Sequence, residues 1–124
     1  MKENGFRQLR VYNEAIEWIA EIYLLLQHFP QEERYALCDQ IKRAAVSVTS
    51  NIAEGTSRTS RKEYAHFLEI SYGSLMEVQS QLDVSLKIGY ITQEMHTNMD
   101  NRITTISKML SGLRYSILSK EENG

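Results

Sequence analysis

Apolar residues recur at intervals of three and four along most of the chain and divide it into four segments. This spacing places them on one side of an α-helix, with polar residues on the other side. It predicts helices over about residues 7–29, 32–54, 60–88 and 92–119. The residues predicted to face the core are Tyr12, Ile16, Ile19, Tyr23 and Leu26 in the first helix, Leu37, Ile41, Ala44, Ala45, Val48 and Ile52 in the second, Tyr64, Leu68, Ser71, Leu75, Val78, Leu82 and Leu86 in the third, and Met95, Met99, Ile103, Ile106, Leu110, Leu113 and Ile117 in the fourth.

Residues that start or stop helices lie between these segments. Pro30 ends the first segment, and Gly55 is expected to end the second, because a helix end often needs a left-handed residue. Ser60 and Glu63 have the spacing of a capping box at the start of the third helix. Thr92 is expected to cap the fourth helix.

Four long helices with short links predict an all-α fold, an antiparallel up-down-up-down four-helix bundle formed as one domain over residues 1–124. The composition, with 42% hydrophobic and 24% charged residues, is that of an ordinary globular domain. No apolar run is long enough for a membrane span, and no apolar signal core is evident, so we expect a cytoplasmic protein without a membrane partner. Cys38 is the single cysteine, which excludes an intramolecular disulfide.

The second and third helices carry apolar or small residues away from their predicted core stripes. Scattered surface hydrophobics are one interpretation, because single exposed apolar residues are normal. The other is a second buried surface, since two neighbouring helices share the feature, and this surface predicts self-association. The residues predicted to form this oligomer interface are Val46, Ala53, Ile70, Gly73, Met76, Val84 and Ile88.

Candidate catalytic and metal-ligating residues are isolated in the sequence. Glu63 and His66 form a Glu-x-x-His pair, which is half of a di-iron carboxylate signature, but the chain has no second such pair. His28, His96 and Cys38 have no neighbouring residues that would form a nucleophile and base. The sequence therefore predicts no catalytic residues, no metal site and no cofactor.

A polar stripe runs beside the apolar stripe of the second helix. Arg43, Ser47, Asn51 and Glu54 follow one another at spacings of four, four and three, so they are neighbours on one helix face. We interpret the stripe as structural, a ladder of hydrogen bonds in which Arg43 and Glu54 each find a partner on another helix or another subunit. A catalytic role is the less favoured alternative.

The distribution of basic residues decides whether phosphate binding is plausible, because the formal net charge is −2. The start of the third helix adds exposed amide groups to the basic residues around it. A corner of this kind can contact phosphates, and in a ring of subunits weak contacts would add up. A solvated turn is the alternative. The predicted nucleic-acid-binding residues are Lys42, Arg43, Arg58, Arg61 and Lys62.

Three stretches, "FRQLRVYNEAIEWIAEIY", "QIKRAAVSVTSNIAEG" and "SRKEYAHFLEISYGSLMEVQSQLDVSLKIGYI", resemble the four-helix proteins encoded in intervening sequences of bacterial 23S rRNA genes. The resemblance covers roughly residues 6–118. It is carried by the Asn-Ile-Ala-Glu-Gly run at 51–55, by Gly73, Ser74 and Glu77, and by the Gly-Tyr-Ile at 89–91. The same family includes the accessory variability determinant of diversity-generating retroelements.

The resemblance implies a non-enzymatic, pentameric homo-oligomer that is associated with RNA or DNA. The retroelement relative is similar to a pentameric barrel of four-helix bundles, and it binds nucleic acid and a reverse transcriptase. This chain departs from that basic relative, because it has 16 acidic against 14 basic residues. Two functions therefore stay open, a nucleic-acid-associated accessory protein and a scaffold that binds a protein partner without nucleic acid. A metal-dependent enzyme is a weak third.

Overall fold

Residues 5–123 are described by the structure, a computed structural model, and side chains are described for residues 5–120. Four α-helices dominate this part of the chain, α1 (Arg10–Leu26), α2 (Leu37–Thr56), α3 (Arg61–Ile88) and α4 (Gln93–Asn123). Short 3-10 turns, Phe6–Gln8 and Gln31–Glu33, precede α1 and α2. The described residues contain no strand, and the predicted all-α four-helix bundle is confirmed. In the same range, no helix is long and apolar enough to span a membrane.

Each helix packs most closely against its neighbours in the chain, and α1 also packs against α4, which closes the bundle. The core residues of α2, α3 and α4 match the predicted stripes closely. Ile41, Val48 and Ile52 of α2 are fully buried, as are Leu75 and Val78 of α3. The residues at the stripe ends, Leu37, Tyr64, Leu86, Met95 and Leu113, are partly buried and pack against this core.

The predicted core stripe of α1 is wrong in part. Leu26 is buried as predicted, and Tyr12 and Ile19 are partly buried against the core. The buried row contains Val11, Ala15, Trp18, Ile22 and Leu25, whereas Ile16 and Tyr23 are 44% and 41% exposed. The reason is that α1 has two apolar rows about one position apart, and both have helical spacing. Turning the Val11–Leu25 row inward buries the large Trp18 and Ile22 side chains completely, and the partly exposed salt bridges of Glu14 and Glu21 with Arg102 of α4 lie beside this row.

Helix ends follow the predicted caps except at Gly55. The Glu63 backbone N–H donates to Ser60 Oγ at 3.0 Å, and the Met95 N–H donates to Thr92 Oγ1 at 3.1 Å. Gly55 does not stop α2, which continues to Thr56. The left-handed residue is instead Gly89, with φ of 96°, at the end of α3.

Gly55 is a site of close helix contact. A Cβ atom at this position would lie 3.0 Å from Tyr64 Cδ1, 3.1 Å from Phe67 Cβ and 3.3 Å from the Tyr64 carbonyl oxygen. Two of these three atoms belong to the backbone or its first side-chain carbon, so they move only if α3 moves. The glycine is therefore required by the approach of α3 to the last turn of α2.

We expect Gly55→Ala to lower the free energy of unfolding by about 1 kcal/mol or more, because overpacking costs about 1–3 kcal/mol and exceeds the gain in helix propensity. Gly112→Ala in α4 is the matched control, since a Cβ there meets nothing within 4 Å. This control should raise stability by about 0.5–1 kcal/mol. Urea unfolding measures both variants, and equal stabilisation of the two would contradict the close contact at Gly55.

Candidate functional site

Small polar side chains fill the seam between α2 and α3. Ser47 Oγ and Ser74 Oγ lie 2.8 Å apart across the two helices. Asn51 Nδ2 donates to the Ser47 carbonyl oxygen at 2.8 Å and to Ser47 Oγ at 2.9 Å. The fully buried Ser71 Oγ donates to the Val48 carbonyl oxygen at 2.7 Å. The predicted polar stripe of α2 thus forms a hydrogen-bonded network that links it to α3.

Arg43 and Glu54, the charged residues at the two ends of the stripe, form ion pairs with residues four positions away in the sequence. Arg43 Nη2 lies 3.1 Å from Asp39 Oδ2, and Glu54 Oε2 lies 3.3 Å from Arg58 Nη2. The prediction that Arg43 and Glu54 reach another helix or subunit is therefore wrong for their ion pairs. Both pairs have the i, i+4 spacing, which brings side chains together on the surface of one helix and its C-terminal turn.

The outward sides of α2 and α3 expose several aliphatic side chains. Val46 is 41% exposed, Ile70 39%, Val84 47% and Ile88 55%. Gly73 is exposed among them, and a Cβ at Gly73 would meet nothing within 4 Å. We call the four residues of α3, Ile70, Gly73, Val84 and Ile88, the outer α2–α3 face, whereas Val46 lies on the α1 side of α2 and lines a groove with Tyr23. The outer α2–α3 face presents apolar groups that no described part of the chain covers.

Two other residues predicted for the oligomer interface, Met76 and Ala53, are half-buried. Met76 is half-buried and packs against the hydrophobic core, because its position on α3 turns it toward the bundle. Ala53 is half-buried and adds little apolar surface.

The five predicted nucleic-acid-binding residues do not form one cluster. Arg61 and Lys62 begin α3, and Arg58 lies in the turn before it. Lys42 and Arg43 lie in the first turns of α2, which is about 20 Å away along the helix axis at 1.5 Å per residue. The bundle therefore has two separate basic groups, one at each end of α2.

Three of these cations, Arg43, Arg58 and Lys42, contact neighbouring side chains. Besides its ion pair with Glu54, Arg58 places its guanidinium carbon 4.6 Å from the centre of the Phe67 ring. Lys42 Nζ lies 4.9 Å from the centre of the Tyr23 ring. Arg61 and Lys62 are exposed, and neither forms an ion pair with the described side chains. They are the cations of the α2–α3 turn that remain open to an anionic partner.

The candidate catalytic residues lie in different surroundings. Glu63 and His66 are exposed at the start of α3, and the described residues contain no group of three or more His, Cys, Asp or Glu that could hold a metal ion. Burial raises the pKa of the Cys38 thiol, although nearby Lys42 acts in the opposite direction. Cys38 therefore stays a protonated thiol at neutral pH, which is a poor nucleophile.

His96 has a partner that sequence reasoning missed. His96 Nε2 lies 2.8 Å from Asp83 Oδ1, and the imidazole is only 15% exposed. The two residues are 13 positions apart on α3 and α4, so no local motif relates them. The predicted antiparallel pairing of the two helices was the signal that brings these positions together.

The chain is similar in sequence to a known protein family. The sequence model of the family described as "23S rRNA-intervening sequence protein" matches residues 7–112, which include α1, α2, α3 and most of α4. The chain belongs to the 23S rRNA-intervening sequence protein family. No curated protein matches the chain.

A solved structure similar to this member of the family comes from Bacteroides thetaiotaomicron VPI-5482, and it is described as a protein with unknown function from the S23 ribosomal protein family. The two chains share 26% sequence identity and superpose with a TM-score of 0.77. The match covers 84% of this chain and 97% of the other. The family and the four-helix fold are thereby established together.

The hydrogen bond between Ser47 and Ser74 should couple α2 to α3 measurably. We expect Ser47→Ala and Ser74→Ala each to reduce stability, and the double variant to be less destabilised than the sum by about 0.5–1 kcal/mol. A cycle that pairs Ser47→Ala with Ser111→Ala of α4 is the control and should be additive. Urea unfolding of the variants measures the coupling, and additivity of Ser47 and Ser74 would show that the bond contributes nothing.

Proposed function

We propose that this family member is a cytoplasmic, non-enzymatic homo-oligomer that assembles through the outer α2–α3 face. The observation that carries the proposal is the set of exposed aliphatic side chains on one side of α3, Ile70, Val84 and Ile88, which range from 39% to 55% exposed. Burying apolar surface is favourable by about 25 cal/mol per Å². Exposed aliphatic side chains on one side of a helix favour contact with another protein surface, and a second copy is always present at matching concentration.

The spacing of the face supports contact between helices. On α3, Ile70, Gly73, Val84 and Ile88 lie on one outward side, and Gly73 leaves room for a neighbouring helix to approach. The small Ser47–Ser74 network holds α3, which carries the face, against α2. The resemblance to the retroelement accessory protein suggests a pentamer, and a native mass decides the number of subunits.

A non-catalytic role is supported by the surroundings of the reactive side chains. The Cys38 thiol is buried with a raised pKa. His96 is held by Asp83 on the α3–α4 side of the bundle, and His66 lies exposed beside Phe67. These three residues lie on different parts of the molecule, so each is accounted for by packing or solvation.

We expect Ile70→Glu and Val84→Glu to dissociate the assembly into monomers, because a carboxylate would be buried without a partner. Native mass spectrometry and analytical ultracentrifugation measure the mass. Leu24→Glu is the matched control, since Leu24 is 62% exposed on α1, away from the outer α2–α3 face, and should leave the mass unchanged. A wild-type monomer at micromolar concentration, or dissociation by Leu24→Glu alone, would overturn the proposed interface.

We further propose that the oligomer is associated with nucleic acid through Arg61 and Lys62. The two cations lie in the first turn of α3, where the helix dipole also favours anions. Each subunit contributes only a small basic group, but an oligomer repeats it, and linked weak sites bind more tightly than single ones. The family description, which names a 23S rRNA-intervening sequence, agrees with a role connected to RNA.

Replacing both Arg61 and Lys62 with Ala should weaken RNA binding about tenfold or more and reduce the salt dependence, because fewer counterions are released. Fluorescence anisotropy with a labelled structured RNA, at low and near-physiological salt, measures the affinity. Lys108→Ala together with Lys120→Ala on α4 is the charge-matched control and should change little. Equal losses in the two pairs would contradict a site at the α2–α3 turn.

A scaffold that binds protein without nucleic acid is the second candidate, favoured by the charge pattern. The formal net charge is −2, and four arginines are held by carboxylates of the same chain. Wild-type protein that assembles but binds no RNA or duplex DNA at low salt would select this function. The arginines in these pairs are Arg43, Arg58, Arg102 and Arg114.

A further inference from the structure

A cleft of about 590 Å³ lies at the end of the bundle where α1 leads into α2. It is formed by the last turns of α1, the link through Phe29 and Pro30, and the first turns of α2. Clefts of 300–1,000 Å³ are the usual size for small-molecule sites. The cleft lies at the opposite end of α2 from Arg61 and Lys62, so it is a separate feature from the proposed nucleic-acid contact.

The inner wall of the cleft is apolar and aromatic. Leu26, Phe29 and Cys38 line it and are only 6%, 8% and 6% exposed. Tyr23 lines its outer part and is 41% exposed. A planar ring can pack against such a wall, because aromatic side chains offer large flat surfaces for stacking.

Two cations stand at the cleft. Lys42 Nζ is held 4.9 Å from the centre of the Tyr23 ring, and the guanidinium carbon of Arg34 lies 5.9 Å from the centre of the Tyr35 ring. Among the described residues, neither cation forms an ion pair with a carboxylate, and the residues that line the cleft are neutral or basic. The lining of the cleft therefore carries two positive charges and no negative charge, in a protein whose overall formal charge is −2.

Besides burial, the charge of Glu33, in the link before α2, raises the pKa of Cys38, and both carboxylate oxygens of Glu33 accept hydrogen bonds. Glu33 accepts a hydrogen bond from the Tyr90 hydroxyl at 2.7 Å and from the Leu37 backbone N–H at 3.3 Å. The hydrogen bond to Glu33 raises the pKa of Tyr90, so this hydroxyl stays protonated and keeps donating at neutral pH. Glu33 is thereby bound to α2 and the α3–α4 link, and it does not line the cleft.

Gln27 and Gln31 supply neutral polar groups at the same cleft. A glutamine amide offers a donor and an acceptor side by side, a pattern that matches the N6 and N7 edge of adenine. We propose that the cleft binds a nucleoside monophosphate, with the base against Tyr23 and Phe29 and the phosphate at Lys42 and Arg34. This site goes beyond the proposed function, because it does not depend on Arg61, Lys62 or the outer α2–α3 face.

Isothermal titration with adenosine 5′-monophosphate tests the proposal, with adenosine and inorganic phosphate as partial ligands. Each partial ligand should bind at least about tenfold more weakly, because one lacks the charge and the other lacks the ring. No binding of adenosine 5′-monophosphate, or equal binding of phosphate alone, would overturn the proposal.

Lys42→Ala and Arg34→Ala should each reduce the affinity about tenfold or more, since each removes a charge-assisted hydrogen bond to the phosphate. Lys108→Ala, on α4, is the matched control and should bind as the wild type does. Circular dichroism verifies that the variants are folded. Failure of this site leaves the Arg61 and Lys62 result unaffected, so the two proposals can fail separately.

Cys38 provides a readout in the unmodified protein, because it is the single cysteine of the chain and lines the cleft. Adenosine 5′-monophosphate should slow its alkylation by iodoacetamide severalfold at alkaline pH, where the thiolate fraction is larger. Unchanged alkylation at saturating nucleotide would contradict the site.

A nucleoside monophosphate is also the 5′ end of an RNA strand. The same protection assay with a 5′-phosphorylated tetranucleotide distinguishes the two sources. Stronger protection by the strand assigns the cleft to RNA ends, and stronger protection by the free nucleotide assigns it to a small-molecule ligand. Equal protection by phosphorylated and 5′-hydroxyl strands would contradict phosphate recognition.

Discussion

The close approach of α2 and α3 is the constraint on which the rest of the structure depends. Gly55 leaves no room for a side chain between α2 and the Tyr64–Phe67 turn of α3. Farther along the seam, Ser71 donates to the Val48 carbonyl oxygen from a fully buried position. A buried hydroxyl is tolerated only when it is hydrogen-bonded, so this bond fixes the register as well as the distance of the two helices. Larger apolar residues would fill the seam but separate the helices.

Small and large side chains lie on different sides of α3. Ser71 and Ser74 face α2 in the seam, whereas Ile70, Val84 and Ile88 lie on the outward side and are exposed. The apolar surplus continues on α1, where Tyr23 is exposed beside the cleft. Aliphatic side chains on helices favour protein contact, whereas an aromatic ring next to Lys42 favours a planar anion. The two surfaces therefore suit different partners.

Sequence periodicity predicted the fold class, the core of three helices and the caps at Ser60 and Thr92, because those features depend on local spacing. It failed in part for α1, where two apolar rows have equal spacing and the burial of Trp18 and Ile22 against the other helices decides between them. Gly55 was assigned as a stop because its packing against α3 is tertiary and leaves no local signal. The pair of His96 with Asp83 was missed for the same reason.

The placement of charge follows from the same geometry and limits what the surface can do. In an antiparallel pair, the start of α2 and the start of α3 lie at opposite ends, so basic residues near each start are separated by the length of a helix. One cation in each group is paired with a carboxylate at i, i+4 spacing, Arg43 with Asp39 and Arg58 with Glu54. The open cations Arg61 and Lys62 lie where α3 begins, and the helix dipole adds to their attraction for anions, whereas Lys42 and Arg34 line the cleft at the other end. A single subunit thus offers two small, distant anion sites rather than one broad basic surface, and extended nucleic-acid binding requires that assembly repeat one of them.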